Sequence, residues 1–144
     1  MRFTFGAQGV TREMNPIVRD EVFRIGSEAI RNAFLHSEGS ELEVTLSYAR
    51  DLTVRLRDNG KGIPEDIAAN GRPGHFGLSG MQERAIRVGG RLRVVSRPDI
   101  GTEIELVVPG QVVFCALQPT WRRLFDRRRH PSRFLDNEAK PKKD

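Results

Sequence analysis

Apolar positions alternate with polar ones, or recur every three to four residues, in stretches bounded by residues that end regular structure. Leu42, Val44, Leu46 and Tyr48 alternate, and after Ala49-Arg50-Asp51 so do Leu52, Val54 and Leu56, a pattern that predicts a hairpin. Arg91–Arg97 and Thr102–Val108 predict a second hairpin, turned by Pro98-Asp99-Ile100-Gly101, where Pro and Gly suit the turn. A helical period runs through Ile17–Ser37. Asn15-Pro16 starts it, since Asn accepts from orphan N–H groups and Pro at the first position has no N–H to waste. Gly39 marks its end. Ser79–Val88 is a second helix with Met81, Ala85 and Val88 at helical spacing and Gly89-Gly90 as its stop. Arg2–Val10, with apolar Phe3, Phe5 and Val10, reads as an edge strand, and Asp58–Phe76, rich in Gly, Pro and Asn, as a long loop. Loops of that length in compact domains are usually functional or mobile. The succession predicts an α/β two-layer sandwich, a mixed or antiparallel sheet covered on one face by helices.

Within that pattern, some polar residues occupy apolar places. On a wheel at 100° per residue, Val18, Val22, Ile25, Ala29 and Ala33 form a core stripe about 80° wide. His36 falls within the stripe, Asn32 at its edge, and Glu28 a further step, about 40°, toward the rim. A buried Asn costs roughly 1–3 kcal/mol unless its amide is paired, so Asn32 is expected to meet a neighbouring loop or a ligand. Strand parity puts Asp58 on the face of Leu52, Val54 and Leu56. A carboxylate there must accept hydrogen bonds, from its own turn backbone or from a donor such as a purine amino group. Gly60-Lys61-Gly62 follows at once and lets the backbone approach something closely. Gly74-His75-Phe76-Gly77-Leu78-Ser79-Gly80-Met81 is a glycine-rich run into a helix, an arrangement that favours phosphate through exposed N–H groups. It is neither a P-loop nor a dinucleotide fingerprint.

Composition narrows the field. The chain has 144 residues and one cysteine, Cys115, which excludes a disulfide framework and a Cys-based zinc site. Mean hydropathy is −0.48, no apolar run approaches the ~20 residues of a membrane span, and the N-terminus lacks a signal-peptide pattern; a cytoplasmic location is expected. The net charge of +5 is unevenly placed: residues 1–110 hold 15 basic and 15 acidic side chains, residues 111–144 hold 9 and 4. The expected division is a neutral domain over 1–110 and a basic, flexible tail over 111–144, which argues against a nucleic-acid face. Within the tail, Thr120 is placed to cap a short amphipathic helix carrying Trp121, Leu124 and Phe125.

Taken together, the helix with Glu28 and Asn32, the strand ending in Asp-x-Gly-x-Gly and the second glycine loop resemble the Bergerat ATP-binding fold. That fold is shared by gyrase-type topoisomerases, mismatch-repair ATPases, a heat-shock chaperone family and sensor histidine kinases. The resemblance is to the catalytic domain of two-component sensor histidine kinases, in the subclass of nitrate sensors. Arg24–His36 resembles the N box, Asp58-Asn59-Gly60-Lys61-Gly62-Ile63 the first glycine box, Gly77–Ala85 the second, and Gly101-Thr102 the closing Gly-Thr box. The match covers roughly residues 15–109.

The resemblance implies roles. Asn32 would ligate Mg²⁺ bridging the phosphates of ATP, and Glu28 would sit near the γ-phosphate as general base or polarising group. Asp58 would accept from the adenine amino group, supported by Thr102 directly or through water. Gly60 and Gly62 would give the backbone room beside the base, with Ile63 among the nucleotide-binding positions. Gly77, Leu78 and Gly80 would hinge a lid over Pro64–Phe76 and present N–H groups to phosphate. The position before His36, often basic in this subclass, is Leu35, so phosphate binding would lean on His36, the lid or another domain. The implied activity is γ-phosphoryl transfer from MgATP to a histidine on a separate dimerisation domain, and from there to a response regulator. Any membrane contact would come through other parts of the full-length protein. Fifteen residues precede Pro16, too few for the acceptor hairpin, so an excised catalytic domain or a stand-alone relative is expected. Two other readings stand beside this one. One is a serine/threonine protein kinase of the anti-sigma-factor type, the other a degenerate nucleotide-binding docking module.

Overall fold

The computed structural model describes residues 1–64 and 77–114. Among these residues eight elements follow one another: β1 (Arg2–Gly9), α1 (Pro16–His36), β2 (Glu41–Tyr48), β3 (Leu52–Asp58), α2 (Gly77–Arg87), β4 (Arg91–Arg97), β5 (Gly101–Val108) and the single turn α3 (Gly110–Val113). The strands form one sheet in the order β1-β2-β3-β5-β4. β1 runs parallel to β2, which requires the long crossover that α1 supplies. The other neighbours are antiparallel, so the sheet is mixed, as expected. The expected lid, including His75 and Phe76, and the expected helix after Thr120 lie outside the described residues.

α1 begins where its sequence says it should. The Asn15 side chain accepts from the Ile17 N–H at 3.0 Å, and Pro16 occupies the first helical position. Val18, Val22, Ile25, Ala29 and Ala33 are its buried residues, the same five that the wheel selects. They pack on Leu42 and Val44 of β2, Leu52, Val54 and Leu56 of β3, and Ile104, Leu106 and Val108 of β5. α2 adds Met81 and Ala85 to the same core. The two helices are tied on their outer side by Glu21 of α1, whose carboxylate pairs with Arg84 at 3.1 Å and Arg87 at 3.7 Å. The opposite face of the sheet stays polar, with Arg55 bonded to Glu105 across the β3–β5 ladder. Phe3 and Phe5 point to the helix side of edge strand β1 yet remain about half exposed. No helix among the described residues is long and apolar enough to cross a membrane.

The packed unit extends past Gly110. Val113 is fully buried in the core. Its carbonyl accepts from the Asn15 N–H at 2.7 Å, and the Gly110 N–H donates to Asp51 Oδ1 at 2.9 Å. Phe114 stacks on Tyr48 and lies beneath the Arg12 guanidinium. Thus residues 111–114, expected with the tail, join the domain because α3 closes the end of the core where α1 enters.

Val113→Ala removes buried methyl groups at this closure and is expected to cost about 2 kcal/mol. Urea unfolding measures it; an unchanged midpoint would place α3 outside the cooperative unit.

Candidate functional site

Asp58 is the last residue of β3. It pairs with Leu42 on the helix-facing side and keeps 7% of its surface exposed. Its Oδ1 accepts two backbone N–H bonds, from Gly60 at 2.9 Å and from Thr102 at 3.3 Å. The first is the turn bond that an Asp makes with its own backbone; the second comes from the neighbouring strand. Both land on one oxygen. Oδ2 bonds to none of the described residues.

Three glycines fix that geometry by letting backbones touch. Gly101, at φ +124, lies so close behind Asp58 that a Cβ would come within 2.0 Å of the Asp58 carbonyl oxygen. A Cβ at Gly60 would fall 2.1 Å from the Ser37 carbonyl oxygen, which also accepts from Lys61 N–H at 2.7 Å. Gly62 has φ +77 and would drive a Cβ to 2.5 Å from the Arg97 carbonyl oxygen. The room expected beside a base at Gly60 and Gly62 is therefore filled by protein: their missing side chains seat the loop on the end of α1 and on β4. Glu38 adds an exposed ion pair with Lys61, whose hydrogen bond and charge lower the Glu38 carboxyl pKa.

Beside Asp58, Thr102 is 8% exposed, and its hydroxyl meets Ser96 Oγ at 2.9 Å. Its backbone, not its hydroxyl, supports Asp58 directly. Ser96 Oγ also accepts from Ile63 N–H at 2.7 Å, so Ile63 is held against β4. Sequence reasoning passed over Ser96 and treated Gly101 only as part of a motif. Strand parity carries the signal for Ser96, since Leu92, Val94 and Ser96 alternate on the helix side and the row ends in a hydroxyl.

The second cluster lies on α1. Asn32 and Glu28 are both half-buried on the flank that meets the start of α2. There a Cβ on Gly77 would lie 2.7 Å from Glu28 Oε1 and 3.0 Å from Asn32 Nδ2. The opening N–H groups of α2 are thus set beside a carboxylate and an amide. Arg31 holds Glu28 Oε1 from the solvent side at 3.3 Å. Leu78 packs against the core, whereas a Cβ on Gly80 would meet nothing within 4 Å.

His36 departs from expectation. It is exposed together with Phe34 and Leu35. The two clusters nonetheless belong to one region: Gly60 rests on Ser37, five residues after Asn32, roughly 7 Å along the helix axis. Among the described residues no three His, Cys, Asp or Glu side chains gather. Asn32 would therefore hold a cation only together with oxygens that a ligand brings. The arrangement sets the Asp58 carboxylate at one end and the start of α2 beside Glu28 and Asn32 at the other.

The sequence model of the "Histidine kinase-, DNA gyrase B-, and HSP90-like ATPase" family matches residues 17–112. The Sensor protein VraS of Staphylococcus haemolyticus is 41% identical over 93 residues, which is 64% of this chain and 26% of that protein. Its counterpart in Staphylococcus saprophyticus is 39% identical over the same span. The chain thus spans about a quarter of the length of these relatives. Among solved structures, the histidine kinase domain of the blue-light activated kinase EL346 of Erythrobacter litoralis aligns with a TM-score of 0.62 at 22% identity. That alignment covers 76% of this chain and 56% of the other. The catalytic domain of histidine kinase ThkA aligns with a TM-score of 0.59 at 18% identity, over 75% and 78%. These structural likenesses establish the fold, an α/β sandwich with a mixed five-stranded sheet.

Gly101→Ala should destabilise the domain by about 2 kcal/mol or more, because it adds strain at positive φ to a backbone clash. Gly80→Ala should instead stabilise it by roughly 0.5–1 kcal/mol, the ordinary gain in a helix. Thermal unfolding of both variants checks the contrast; equal behaviour would remove the packing reason given for Gly101.

Proposed function

The chain belongs to the histidine kinase-, DNA gyrase B- and HSP90-like ATPase family, and we propose that it is the catalytic domain of a sensor histidine kinase, holding MgATP for γ-phosphoryl transfer. Domains of this family bind ATP, so the question at this site is how its own residues do so. The observation that carries the reading is the half-occupied carboxylate of Asp58. One oxygen is locked by two N–H groups and the other has no partner among the described residues, in an otherwise apolar row. An adenine 6-amino group is a donor of the right kind for Oδ2, and the buried Thr102 beside it supports the same edge of the base.

From the base, the phosphates would run toward the start of α2, where Gly77, Leu78 and Gly80 present backbone N–H groups and the positive end of the helix dipole. The Asn32 side-chain oxygen would help hold Mg²⁺, which would supply neutralisation of phosphate charge. Glu28 has a carboxylate within reach of the same space, and its pairing with Arg31 orients it; it would polarise the attacking group near the γ-phosphate. His36, exposed on the last turn of α1, would approach phosphate from the solvent side, a role that Leu35 cannot share. Positioning and charge neutralisation would supply most of the rate.

The acceptor histidine would come from a dimerising helical domain of the full-length protein, and a response regulator would then receive the phosphoryl group. The relatives of similar sequence are named as sensor proteins, which supports this setting. The reading with a histidine acceptor is the one carried forward.

Asp58→Asn keeps an oxygen for the two backbone N–H groups and replaces the ligand-facing acceptor by a donor. It should leave unfolding unchanged while weakening ATP about 10- to 150-fold, the equivalent of roughly 1.5–3 kcal/mol. Titration calorimetry reads the affinity, and unchanged ATP binding by the folded variant would remove Asp58 from the site. Asn32→Ala should abolish the dependence of ATP binding on Mg²⁺; normal Mg²⁺ dependence would contradict its role.

A further inference from the structure

Ser96 stands opposite Thr102 on the last helix-facing rung of the β4–β5 ladder. Thr102 in turn donates its N–H to Asp58. Three oxygen-bearing side chains therefore follow one another across the sheet's end, where the row behind them carries Leu56, Ile104 and Val94. Nothing in the fold alone asks for hydroxyls there, since the neighbouring row shows that apolar side chains fill such places.

Proton counting shows what the row does. Ser96 Oγ accepts from Ile63 N–H at 2.7 Å and has a single proton to give. Its two acceptors are Thr102 Oγ1 at 2.9 Å and the Gly101 carbonyl at 3.3 Å. If Ser96 donates to Gly101, Thr102 must spend its own proton on Ser96 and shows the site only lone pairs. If Ser96 donates to Thr102, the Thr102 proton is released to point at a ligand. Both arrangements keep the 2.9 Å contact; the first spends the Ser96 proton on a contact beyond the usual O–H···O range, whereas the second frees the Thr102 proton for a full bond to a ligand. Thr102 is thereby set as a donor beside the acceptor Oδ2 of Asp58.

Acceptor next to donor is the complement of a 6-aminopurine edge, whose amino group donates and whose N1 accepts. It is the opposite of a 6-oxopurine edge, which accepts at O6 and donates at N1. On the ATP-site reading above, we infer that Ser96 is a positioning residue that fixes the Thr102 hydroxyl as a donor, so that N1 of the base is recognised as well as its amino group. The Thr102 proton reaches N1 directly or across one water. The Ile63 N–H bond makes the same hydroxyl a fastener for the loop leaving Asp58, which couples base reading to the position of that loop.

The test compares MgATP with 1-deaza-ATP, in which C–H replaces N1, on the whole chain by titration calorimetry. The wild type should bind the deaza analogue about 10-fold more weakly, and in Ser96→Ala that penalty should shrink to about 2-fold or less. Ser96→Thr, which restores a hydroxyl, should recover it. If Ser96→Ala does not fold, Thr102→Val supplies the comparison, because it keeps the β-branched shape without the donor and should likewise lose the penalty. A penalty of wild-type size in a folded Ser96→Ala, or equal binding of both nucleotides by the wild type, overturns the role of Ser96. A wild type that binds neither nucleotide overturns the ATP site itself, and this inference with it; binding of ATP without the predicted pattern overturns this inference alone.

Discussion

The structure depends on backbone-to-backbone contact at the end of β3. Gly101 lies against the Asp58 carbonyl, Gly60 against the Ser37 carbonyl and Gly62 against the Arg97 carbonyl. No side chain fits at any of the three, and two of them hold positive φ, the conformation that glycine alone adopts cheaply. The three contacts pull the end of α1, the loop after β3 and the β4–β5 hairpin onto one point. Asp58 sits at that point with one oxygen spent on the backbone. That both bonds land on one oxygen is a consequence of this convergence: both N–H donors arrive from the side on which the glycines let the chain close in.

The same logic divides α1. Its buried stripe is made of small and branched residues that settle on the sheet, while Glu21, Glu28 and Asn32 line the flank toward α2. Glu21 spends its charge on Arg84 and Arg87 and so sets the spacing of the two helices. With that spacing fixed, Gly77 comes against Glu28 and Asn32. A larger residue at 77 would have to displace both polar side chains. Packing on one flank of the helix and site chemistry on the other are thus parts of a single arrangement, and the domain's closure by Val113 secures the far end of α1.

Much of this was legible in the sequence, for identifiable reasons. The five core residues of α1 follow from helical period, and the buried Asp58 from strand parity, because both signals report which face a side chain occupies. The two hairpins emerge within a residue of their observed ends. Period reports phase and not burial, and His36, in phase with the core, is exposed. Nor does a glycine announce which neighbour needs its missing side chain; Gly60 and Gly62 read equally as room for a ligand and as seats for protein backbone. Ser96 escaped notice because a half-buried hydroxyl costs little beside a buried carboxylate, so nothing in the pattern demanded an explanation. Charge placed the boundary at residue 110, yet the Gly110 N–H bonds Asp51 and the chain turns once more into the core. The parallel direction of β1 depends on the path of α1 over the sheet, which no local pattern records.

The central claim is that the convergence at Asp58 builds a pocket that reads adenine. Its most direct measurement is calorimetric titration of the chain with ATP in the presence of Mg²⁺, with GTP under the same conditions. Saturable binding of ATP with no binding of GTP is the predicted result. Equal binding of the two nucleotides, or binding of neither at millimolar concentration, would contradict it.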